Sequence, residues 1–472
     1  MADIAGSYCR FAAKMEGTDM KEKADNPLTT PRAQISRREG LKLSATSIMA
    51  SLLTVSAPAA AQSQSSPQKE NTVTDKAAIR PFQVSFPDAD LVELRRRVNA
   101  TRWPARETVP DATQGVQFAT IQKLARYWAT DYDWSKCEAK LKALPHFITE
   151  IDGLDIHFIH VRSKNPNALP LIVTHGWPGS IIEQLKIIDP LTNPTVHGAS
   201  ALDAFDIVIP SLPGYGFSGK PTTTGWDIPR ITRAWVTLMK RLGYTRFVAA
   251  GGDVGAQVGD ELGVQAPAGL LGVHSNMPGT VPDDISKALN FHEPAPAGLS
   301  ADERNAWDQL DFFYKKGLGY ANEMSLRPQT LYALEDSPVG LAAWILDHDA
   351  GSYAMIARSI DGQPEGLTPD DILDNITFYW LTKTAVSSAR LYWDASATAK
   401  KGFFDVKGVN TIPFAVSAFP NEIYTAPKSW AEKAYPKLIH YNKLPKGTHF
   451  AAWEQPQFYS DEVRAGFRSL RT

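Results

Sequence analysis

Residues Gly251–Gly255 read Gly-Gly-Asp-Val-Gly and place one carboxylate between glycines, directly after the apolar run 247–250. A helix-like pattern follows at 256–262, so the sequence predicts a strand, a very sharp turn and a helix. This order is that of a nucleophile elbow, with Asp253 where an esterase has its serine. An aspartate that only precedes or caps an ordinary helix would fit the same residues, so further residues must support a catalytic role.

Two later residues would complete a catalytic set with Asp253. Glu422 and His449 follow it in the order nucleophile, acid, histidine that is typical of hydrolases built on such an elbow. A carboxylate that attacks carbon forms an ester, and release of the product then needs water activated by an oriented base. There are two alternatives. In one, His449 is a structural residue; in the other, the acid is Asp405 or Glu432.

The loop 175–178, His-Gly-Trp-Pro, follows the apolar run 170–174. We expect the backbone N–H groups of Trp177 and Val254 to stabilise the oxyanion that forms when the ester is hydrolysed. An ordinary strand-to-loop turn is the alternative for this loop. The predicted substrate-binding residues are His175, Pro178 and Phe217.

A sheet is needed to bring these residues together. Apolar runs alternate with helical patterns such as 227–242, which predicts a mostly parallel sheet with helices on both faces. Ligand sites in such sheets lie beyond the carboxyl ends of the strands, where Trp177 and Asp253 are both predicted to fall. The predicted strands of this sheet are 170–174, 205–210, 247–250, 270–274, 411–418 and 438–441.

The predicted organisation is an α/β-hydrolase core interrupted by a helical cap. Between 278 and 400 no buried-strand run occurs, and proline-led helix starts favour helices there. Predicted helices also include 88–101, 118–130, 182–188, 339–348, 370–382, 385–393 and 457–469. The predicted units are a signal segment 1–61, a linker 62–77, an amino-terminal meander 78–145, the first core part 146–277, the cap 278–400 and the second core part 401–472.

Composition narrows the class of protein. The chain has 472 residues, of which 43% are hydrophobic and 21% charged, and its formal net charge is -2. A near-neutral chain without a long basic block does not predict a nucleic-acid partner. The two cysteines, Cys9 and Cys137, provide no disulfide framework.

The amino-terminal segment carries a twin-arginine pattern at 36–42, followed by a moderately apolar run at 43–55 and small residues at 59–61. The run is too short and too rich in Ser and Thr for a stable membrane span. We therefore expect the twin-arginine export machinery as a partner and a soluble protein that is periplasmic or secreted. A disordered basic tail is the alternative.

The motifs in this order resemble the epoxide hydrolases of the microsomal type, within the α/β-hydrolase superfamily. The resemblance spans nearly all of 79–471 and is carried by the Arg-Trp-Pro stretch 102–104, the His-Gly-x-Pro loop, the Pro-Gly-Tyr-Gly-Phe-Ser stretch 213–218, the aspartate elbow and the final Gly-x-His-Phe. It implies that Asp253 is the nucleophile, Glu422 the acid and His449 the base.

The resemblance also implies that two cap tyrosines, Tyr320 and Tyr392, donate hydrogen bonds to the epoxide oxygen. A phenol suits this task because it is a neutral donor with an ordinary pKa near 10. Tyr314, Tyr332 and Tyr353 are the competing cap tyrosines. One departure concerns Val254, since many relatives carry tryptophan after the nucleophile. The backbone donor is unaffected, but the pocket wall beside Asp253 should differ.

The implied reaction converts a small apolar epoxide and water into a vicinal diol, a chemistry suited to detoxification. No metal or organic cofactor is expected, because the His and Cys residues lack metal-ligand spacing and no phosphate-binding glycine-rich loop occurs. A homodimer is an open option. The alternatives are a haloalkane-type dehalogenase on the same scaffold and a non-catalytic protein that binds an apolar ligand. A serine esterase is disfavoured because the chain has no Gly-x-Ser-x-Gly.

Overall fold

The computed structural model describes residues 76–471. The predicted signal segment 1–61 and nearly all of the predicted linker lie outside the described residues. One sheet of nine strands runs through the described chain in the order β1-β2-β3-β5-β4-β6-β7-β8-β9. The strands are β1 Arg80–Phe82, β2 His146–Ile151, β3 Leu154–Val161, β4 Leu169–Thr174, β5 Phe205–Pro210, β6 Phe247–Gly251, β7 Leu270–Ser275, β8 Phe414–Ala418 and β9 Leu438–Lys443.

The sheet is mostly parallel, as predicted. Strands β5, β4, β6, β7, β8 and β9 pair in parallel, whereas β1, β2, β3 and β5 pair antiparallel at one edge. A hairpin joins β2 to β3 through Asp152 and Gly153, whose φ angles are 52° and 81°. Two successive positive φ values are what a tight two-residue hairpin turn requires.

Helices cover the sheet and form the segment between β7 and β8. None of those in residues 76–471 is both long enough and apolar enough to cross a bilayer. The helices are α1 Asp88–Asn99, α2 Phe118–Thr130, α3 Trp134–Lys142, α4 Leu185–Thr192, α5 Ile228–Arg241, α6 Val254–Gln265, α7 Asp283–Asn290, α8 Ala301–Phe312, α9 Gly319–Leu326, α10 Ala333–Asp336, α11 Pro338–Leu346, α12 Ala350–Ile360, α13 Pro369–Thr382, α14 Ala385–Thr398, α15 Lys428–Ala434, α16 Ala451–Glu454 and α17 Pro456–Phe467.

Helices α7 to α14 form the roof of the site, and local capping fixes where several of them begin. The hydroxyl of Ser337 accepts from Gly340 N–H at the start of α11, and Thr368 forms a reciprocal capping box with Asp371 at the start of α13. Proline occupies the first helical position in both, where its missing N–H has no helical partner to lose.

The amino-terminal helices hold α13 in place. Trp128 in α2 donates its indole N–H to Thr377 at 3.0 Å, and the hydroxyl of Tyr132 donates to the Asp374 carboxylate at 2.9 Å. Because these partners are buried on α13, losing either bond would leave a desolvated polar group. The predicted meander 78–145 therefore supports the roof of the site as well as the edge of the sheet.

Element ends differ from the predictions where local chemistry decides them. The predicted helix 182–188 is a 3-10 turn, Ile181–Gln184, followed by α4. Strand β8 begins at Phe414 rather than 411, consistent with the lack of an N–H on Pro413. The predicted helix 385–393 continues to Thr398. The short strand β1 and helix α3 were not predicted, because neither carries a strong periodic pattern.

Candidate active site

The elbow gives Asp253 a strained backbone at the carboxyl end of β6. Its φ and ψ are 52° and −126°, which non-glycine residues rarely adopt. Neighbouring glycines allow the close approach: a Cβ on Gly255 would lie 2.0 Å from Thr174 O, and one on Gly252 would lie 2.7 Å from Asn276 Oδ1. The sequence Gly-x-Asp-x-Gly is thus imposed by packing around a side chain held at the sheet edge.

The loop after β4 holds one oxygen of this carboxylate. The backbone N–H of Trp177 donates to Asp253 Oδ1 at 2.8 Å. A Cβ on Gly176 would lie 2.3 Å from the Asp253 side chain, so the loop can approach only with glycine at this position. Val254 is buried at the first position of α6, and a donor role for its backbone N–H stays a prediction.

The structure brings His449 and Glu422 to the same place. Nδ1 of His449 lies 2.6 Å from Glu422 Oε1, and Nε2 lies 3.8 Å from Asp253 Oδ2. Asn276 Nδ2 donates to Glu422 Oε2 at 2.9 Å, and the backbone N–H of Ile423 donates to Oε1 at 2.9 Å. Both oxygens of this buried carboxylate are therefore satisfied, which fixes the orientation of the imidazole.

The alternative acids lie elsewhere. Asp405 accepts the backbone N–H of Gly402 at 2.7 Å. Glu432 pairs with Lys428 on the face of α15, where both side chains are exposed. Within residues 76–471, neither carboxylate forms a hydrogen bond or an ion pair with His449. Glu422 is therefore the acid that the geometry supports.

Opposing effects act on the His449 pKa. Burial alone lowers it, but the charge and hydrogen bond of Glu422 and the charge of Asp253 raise it more, to about 10. The resting site therefore holds an imidazolium between two carboxylates. Removing the charge of either carboxylate would lower the His449 pKa, so the imidazolium would lose its proton more readily.

Tyr320 and Tyr392 face the carboxylate from the roof. Their ring centroids are 6.1 Å apart, and the Tyr320 ring stacks on Trp177 at 4.8 Å. Burial, followed by the charge of Asp253, raises both phenol pKa values well above the ordinary range. The Tyr392 hydroxyl is buried and has no hydrogen-bond partner within residues 76–471. Two protonated phenols are thus available as donors.

A small, largely apolar cavity lies between the carboxylate and the roof. Its walls beside Asp253 and the two phenols combine residues from the turn Phe313–Gly317 after α8, from α9 and from the loops around 403 and 423. Such a lining suits an uncharged apolar molecule with one polar atom directed at the phenols. The other lining residues are Met277, Phe313, Tyr314, Leu318, Ala321, Phe403, Phe404 and Ile423.

The three competing tyrosines lie at different places relative to this cavity. Tyr314 lines the same cavity, with its ring 6.5 Å from that of Phe404. Tyr332 is 68% exposed, and the Tyr353 hydroxyl accepts the backbone N–H of Gln117 at 2.9 Å. Of these three, only Tyr314 borders the cavity in front of the carboxylate.

The structure does not place His175 and Phe217, two predicted substrate contacts, in the wall of this cavity. His175 is fully buried, its Nε2 accepts the backbone N–H of Leu212 at 3.2 Å, and burial lowers its pKa to about 4. It is a neutral residue that ties two loops together. Phe217 packs its ring against Phe82 and Phe378 and borders neither cavity at the carboxylate.

Pro178 is the third residue that the sequence predicts as a substrate contact. Its side chain does not border the cavity, but its carbonyl accepts Asn375 Nδ2 at 2.8 Å. The Asn375 side chain also accepts the hydroxyl of Ser180 at 2.7 Å, and the Tyr379 hydroxyl donates to Gly179 O at 2.7 Å. Helix α13 thereby holds the loop that carries the Trp177 donor.

Two further residues of the site were missed. Glu183 borders a second cavity beside Asp253 together with His449, and burial raises its pKa to about 8. His348, just after α11, lies with its ring centroid 4.5 Å from that of His449. Neither has a sequence signal, since Glu183 resembles any acidic residue at a helix start and His348 follows no motif.

Comparisons with known proteins agree on one family. A family model described as "Epoxide hydrolase N terminus" matches residues 79–184, and one described as "alpha/beta hydrolase fold" matches 170–353. A putative epoxide hydrolase from Stigmatella aurantiaca is 49% identical over 396 residues, which cover 83% of this chain and 86% of that protein. Epoxide hydrolase 1 from Oryctolagus cuniculus is 34% identical, covering 82% and 88%.

Solved structures give the same result. The juvenile hormone epoxide hydrolase from the silkworm Bombyx mori superposes with a TM-score of 0.72 at 29% identity, covering 84% of this chain and 96% of that chain. The Aspergillus niger epoxide hydrolase gives a TM-score of 0.70 at 29% identity, covering 84% and 97%.

Proposed function

The chain belongs to the epoxide hydrolases of the α/β-hydrolase fold, and we propose that it opens the epoxide ring with the carboxylate of Asp253 rather than with water directly. The observation that carries this proposal is the asymmetric environment of the carboxylate. Oδ1 is held by Trp177 N–H, while Oδ2 lies toward His449 without such a bond. One oxygen is thus anchored and the other is free to attack.

In the first step, an Asp253 oxygen bonds to a ring carbon as the carbon–oxygen bond of the epoxide breaks. The released oxygen accepts a proton from Tyr320 or Tyr392, which gives a hydroxyalkyl ester. The two phenols suit this role because they are buried, protonated and line the same cavity as Asp253. Their raised pKa values mean that donation is driven by an alkoxide, a stronger base than phenolate.

In the second step, water attacks the ester carbonyl. Ester formation removes the charge of Asp253, so one of the influences that raise the His449 pKa disappears. The imidazolium then gives its proton to the phenolate left by the first step, and the neutral imidazole can take a proton from water. The second cavity, lined by Glu183, His449 and Gly176, has about 20 Å³ of space, enough for one water molecule. Trp177 N–H would then stabilise the oxyanion, and its collapse releases the diol as His449 returns the proton to the departing oxygen. The proton of the new Asp253 carboxyl group passes to His449, which restores the resting site.

The same geometry ranks the alternatives. A dehalogenase has no use for two buried phenol donors, and the unpartnered hydroxyl of Tyr392 needs an acceptor that an epoxide oxygen provides. A binding protein would not need the fully satisfied Glu422 carboxylate behind His449. The reaction class is therefore the one that uses the carboxylate of Asp253 and both of these phenols.

The twin-arginine pattern supports a separate proposal, export of the folded protein. Replacing both Arg37 and Arg38 by Lys should retain the protein in the cytoplasm, which fractionation of expressing cells would measure. Export that continues unchanged would contradict this assignment and leave the catalytic proposal untouched.

The covalent step is tested by trapping. His449→Gln should form the ester and fail to hydrolyse it, so brief exposure to styrene oxide should add the mass of the intact epoxide to the peptide containing Asp253. Asp253→Asn treated identically is the matched control and should show no such addition. Diol formation by His449→Gln at the wild-type rate, with no adduct, would overturn the proposal.

A further inference from the structure

His348 is a buried imidazole that the reaction does not use. It lies in the short connection between α11 and α12, is 2% exposed and contacts the rings of Tyr320 and His449 with centroid distances of 4.9 and 4.5 Å. Its Nδ1 lies 3.0 Å from an oxygen of Asp349, which also caps α12 by accepting Ser352 N–H at 2.8 Å. The ring is therefore fixed in orientation by a carboxylate.

The other ring nitrogen of His348 has no partner. Nε2 is buried and forms no hydrogen bond with any group in the described part of the chain. A buried imidazole nitrogen without a partner loses its hydration and gains nothing in return, so it needs a ligand to satisfy it. Neither the packing of the ring nor the epoxide chemistry provides a partner for this nitrogen.

The two histidines of the site share one arrangement. His348 places Nδ1 on Asp349, and His449 places Nδ1 on Glu422 at 2.6 Å. In both rings the carboxylate fixes Nδ1, so Nε2 is the ligand atom, and at His449 a metal ion would displace the proton of the resting imidazolium. Histidines that bind metals almost always carry such a partner on the second ring nitrogen, because it orients the ring and raises its basicity.

A third donor completes the set. One donor atom each from His348, His449 and Asp253 all lie within 4.8 Å of one another. The His449 Nε2 to Asp253 Oδ2 distance is 3.8 Å, whereas ligands of a tetrahedral zinc ion with bonds near 2.0–2.1 Å are spaced by about 3.4 Å. Small side-chain movements would bring the three atoms to that spacing.

We propose that His348, His449 and Asp253 form a binding site for a divalent metal ion of the zinc class, and that the bound ion inhibits the enzyme. Two imidazoles and one carboxylate favour zinc over calcium or magnesium, which prefer oxygen ligands alone. The carboxylates of Glu422 and Asp349 behind the rings add negative charge that a divalent cation compensates. The ion would occupy the attacking carboxylate and the base together.

The spacing of these residues in the sequence explains why no metal pattern is visible there. The three ligands belong to the elbow, the roof and the loop after β9, and only the fold brings them together. Binding of the metal ion must be reversible, because the same atoms must be free for ester formation. It therefore predicts inhibition and not a resident cofactor.

The experiment titrates the full chain, after treatment with a chelator, with Zn²⁺. Isothermal titration should find one Zn²⁺ per chain, and diol formation should fall at least about tenfold at saturation and recover with EDTA. His348→Phe keeps an aromatic ring against His449 but removes the ligand nitrogen, so its Zn²⁺ affinity should fall at least about tenfold. The matched control is His197→Gln, which removes a surface histidine paired with Asp189 and should bind Zn²⁺ as the wild type does.

A second variant makes the result decisive if His348→Phe does not fold. Asp349→Asn can still cap α12 but removes the charge behind His348, so it should weaken Zn²⁺ binding about tenfold. Unchanged Zn²⁺ affinity in the folded variant, or no stoichiometric binding by the wild type, would overturn the proposal. Binding is measured without turnover, so this outcome is independent of the catalytic roles proposed above.

Discussion

The floor and the roof of the site obey different rules. The floor consists of strand ends, where Asp253, Glu422 and His449 follow β6, β8 and β9 and are held by backbone N–H groups and a buried amide. The roof consists of helices, where Tyr320, Tyr392 and His348 are positioned mainly by ring packing. Hydrogen-bonded strand ends tolerate little change, whereas ring packing tolerates substitution by similar rings. Loss of function should therefore be steeper for the floor.

The largest effect is expected for the nucleophile. Asp253→Asn should lower kcat for diol formation by roughly four orders of magnitude or more, because an amide cannot form the ester. Steady-state kinetics on styrene oxide would measure this, with thermal unfolding as a control for the fold. Residual activity above about a tenth of wild type would contradict the expectation that substitutions in the floor are the most damaging.

Next comes the acid of the floor. Glu422→Gln should lower kcat by about 10²- to 10⁴-fold, because the neutral amide no longer stabilises the protonated imidazole. It should also slow ester hydrolysis more than ester formation, which rapid-quench kinetics would separate. Full turnover in this variant would transfer the acid's role to another carboxylate.

The roof donors should show partial and shared losses. Tyr392→Phe and Tyr320→Phe should each lower kcat by about 10- to 100-fold, since one phenol remains, and the double variant should lose far more. The rate of ester formation in single-turnover experiments would measure this. Tyr314→Phe is the matched control, because Tyr314 lines the same cavity. An equal loss in this control would contradict the assignment of donors.

The contact between floor and roof offers a smaller test. Asn375→Ala removes the bonds from α13 to Pro178 O and the Ser180 hydroxyl, which should cost about 1–3 kcal/mol of unfolding free energy and lower kcat through the Trp177 loop. Asn305→Ala, on the exposed face of α8, is the control and should change neither quantity. Unaltered unfolding of Asn375→Ala would show that this amide does not contribute to holding the two halves together.

The smallest effect concerns the pH dependence of stability. Burial raises the Glu183 pKa from 4.5 to about 8, so the folded protein binds this proton more tightly than the unfolded chain does. Stability should therefore fall as pH rises from 4.5 to 8. Glu183→Gln should remove that slope and raise Tm more at pH 8 than at pH 5, measured by calorimetry. Glu432→Gln, on exposed α15, should leave the slope intact.

The floor could be predicted from sequence because each of its residues follows a strand in a fixed motif. The elbow glycines are required by contacts such as Gly255 on Thr174 O, so the chemistry leaves a visible pattern. His175 and Phe217 were predicted as substrate contacts for the same reason, since motif residues that hold loops together look like residues that contact substrate. Only coordinates distinguish these two roles.

The roof was harder to predict because its positions depend on tertiary packing. The two tyrosines were identified through resemblance, while periodicity alone could not choose among the cap tyrosines. His348 was missed altogether, because its partners Asp349 and His449 become meaningful only after α11 and α12 are docked on the sheet. Glu183 was missed because burial, and not sequence context, sets its protonation.

The central claim is that the oxygen added to the substrate comes first from the carboxylate of Asp253. It is tested most directly by a single turnover in ¹⁸O-labelled water with enzyme in excess over styrene oxide. The account predicts an unlabelled diol and incorporation of ¹⁸O into the Asp253 carboxylate, read by mass spectrometry of the diol and of the digested protein. A diol that carries ¹⁸O in this first turnover, with Asp253 unlabelled, would contradict it.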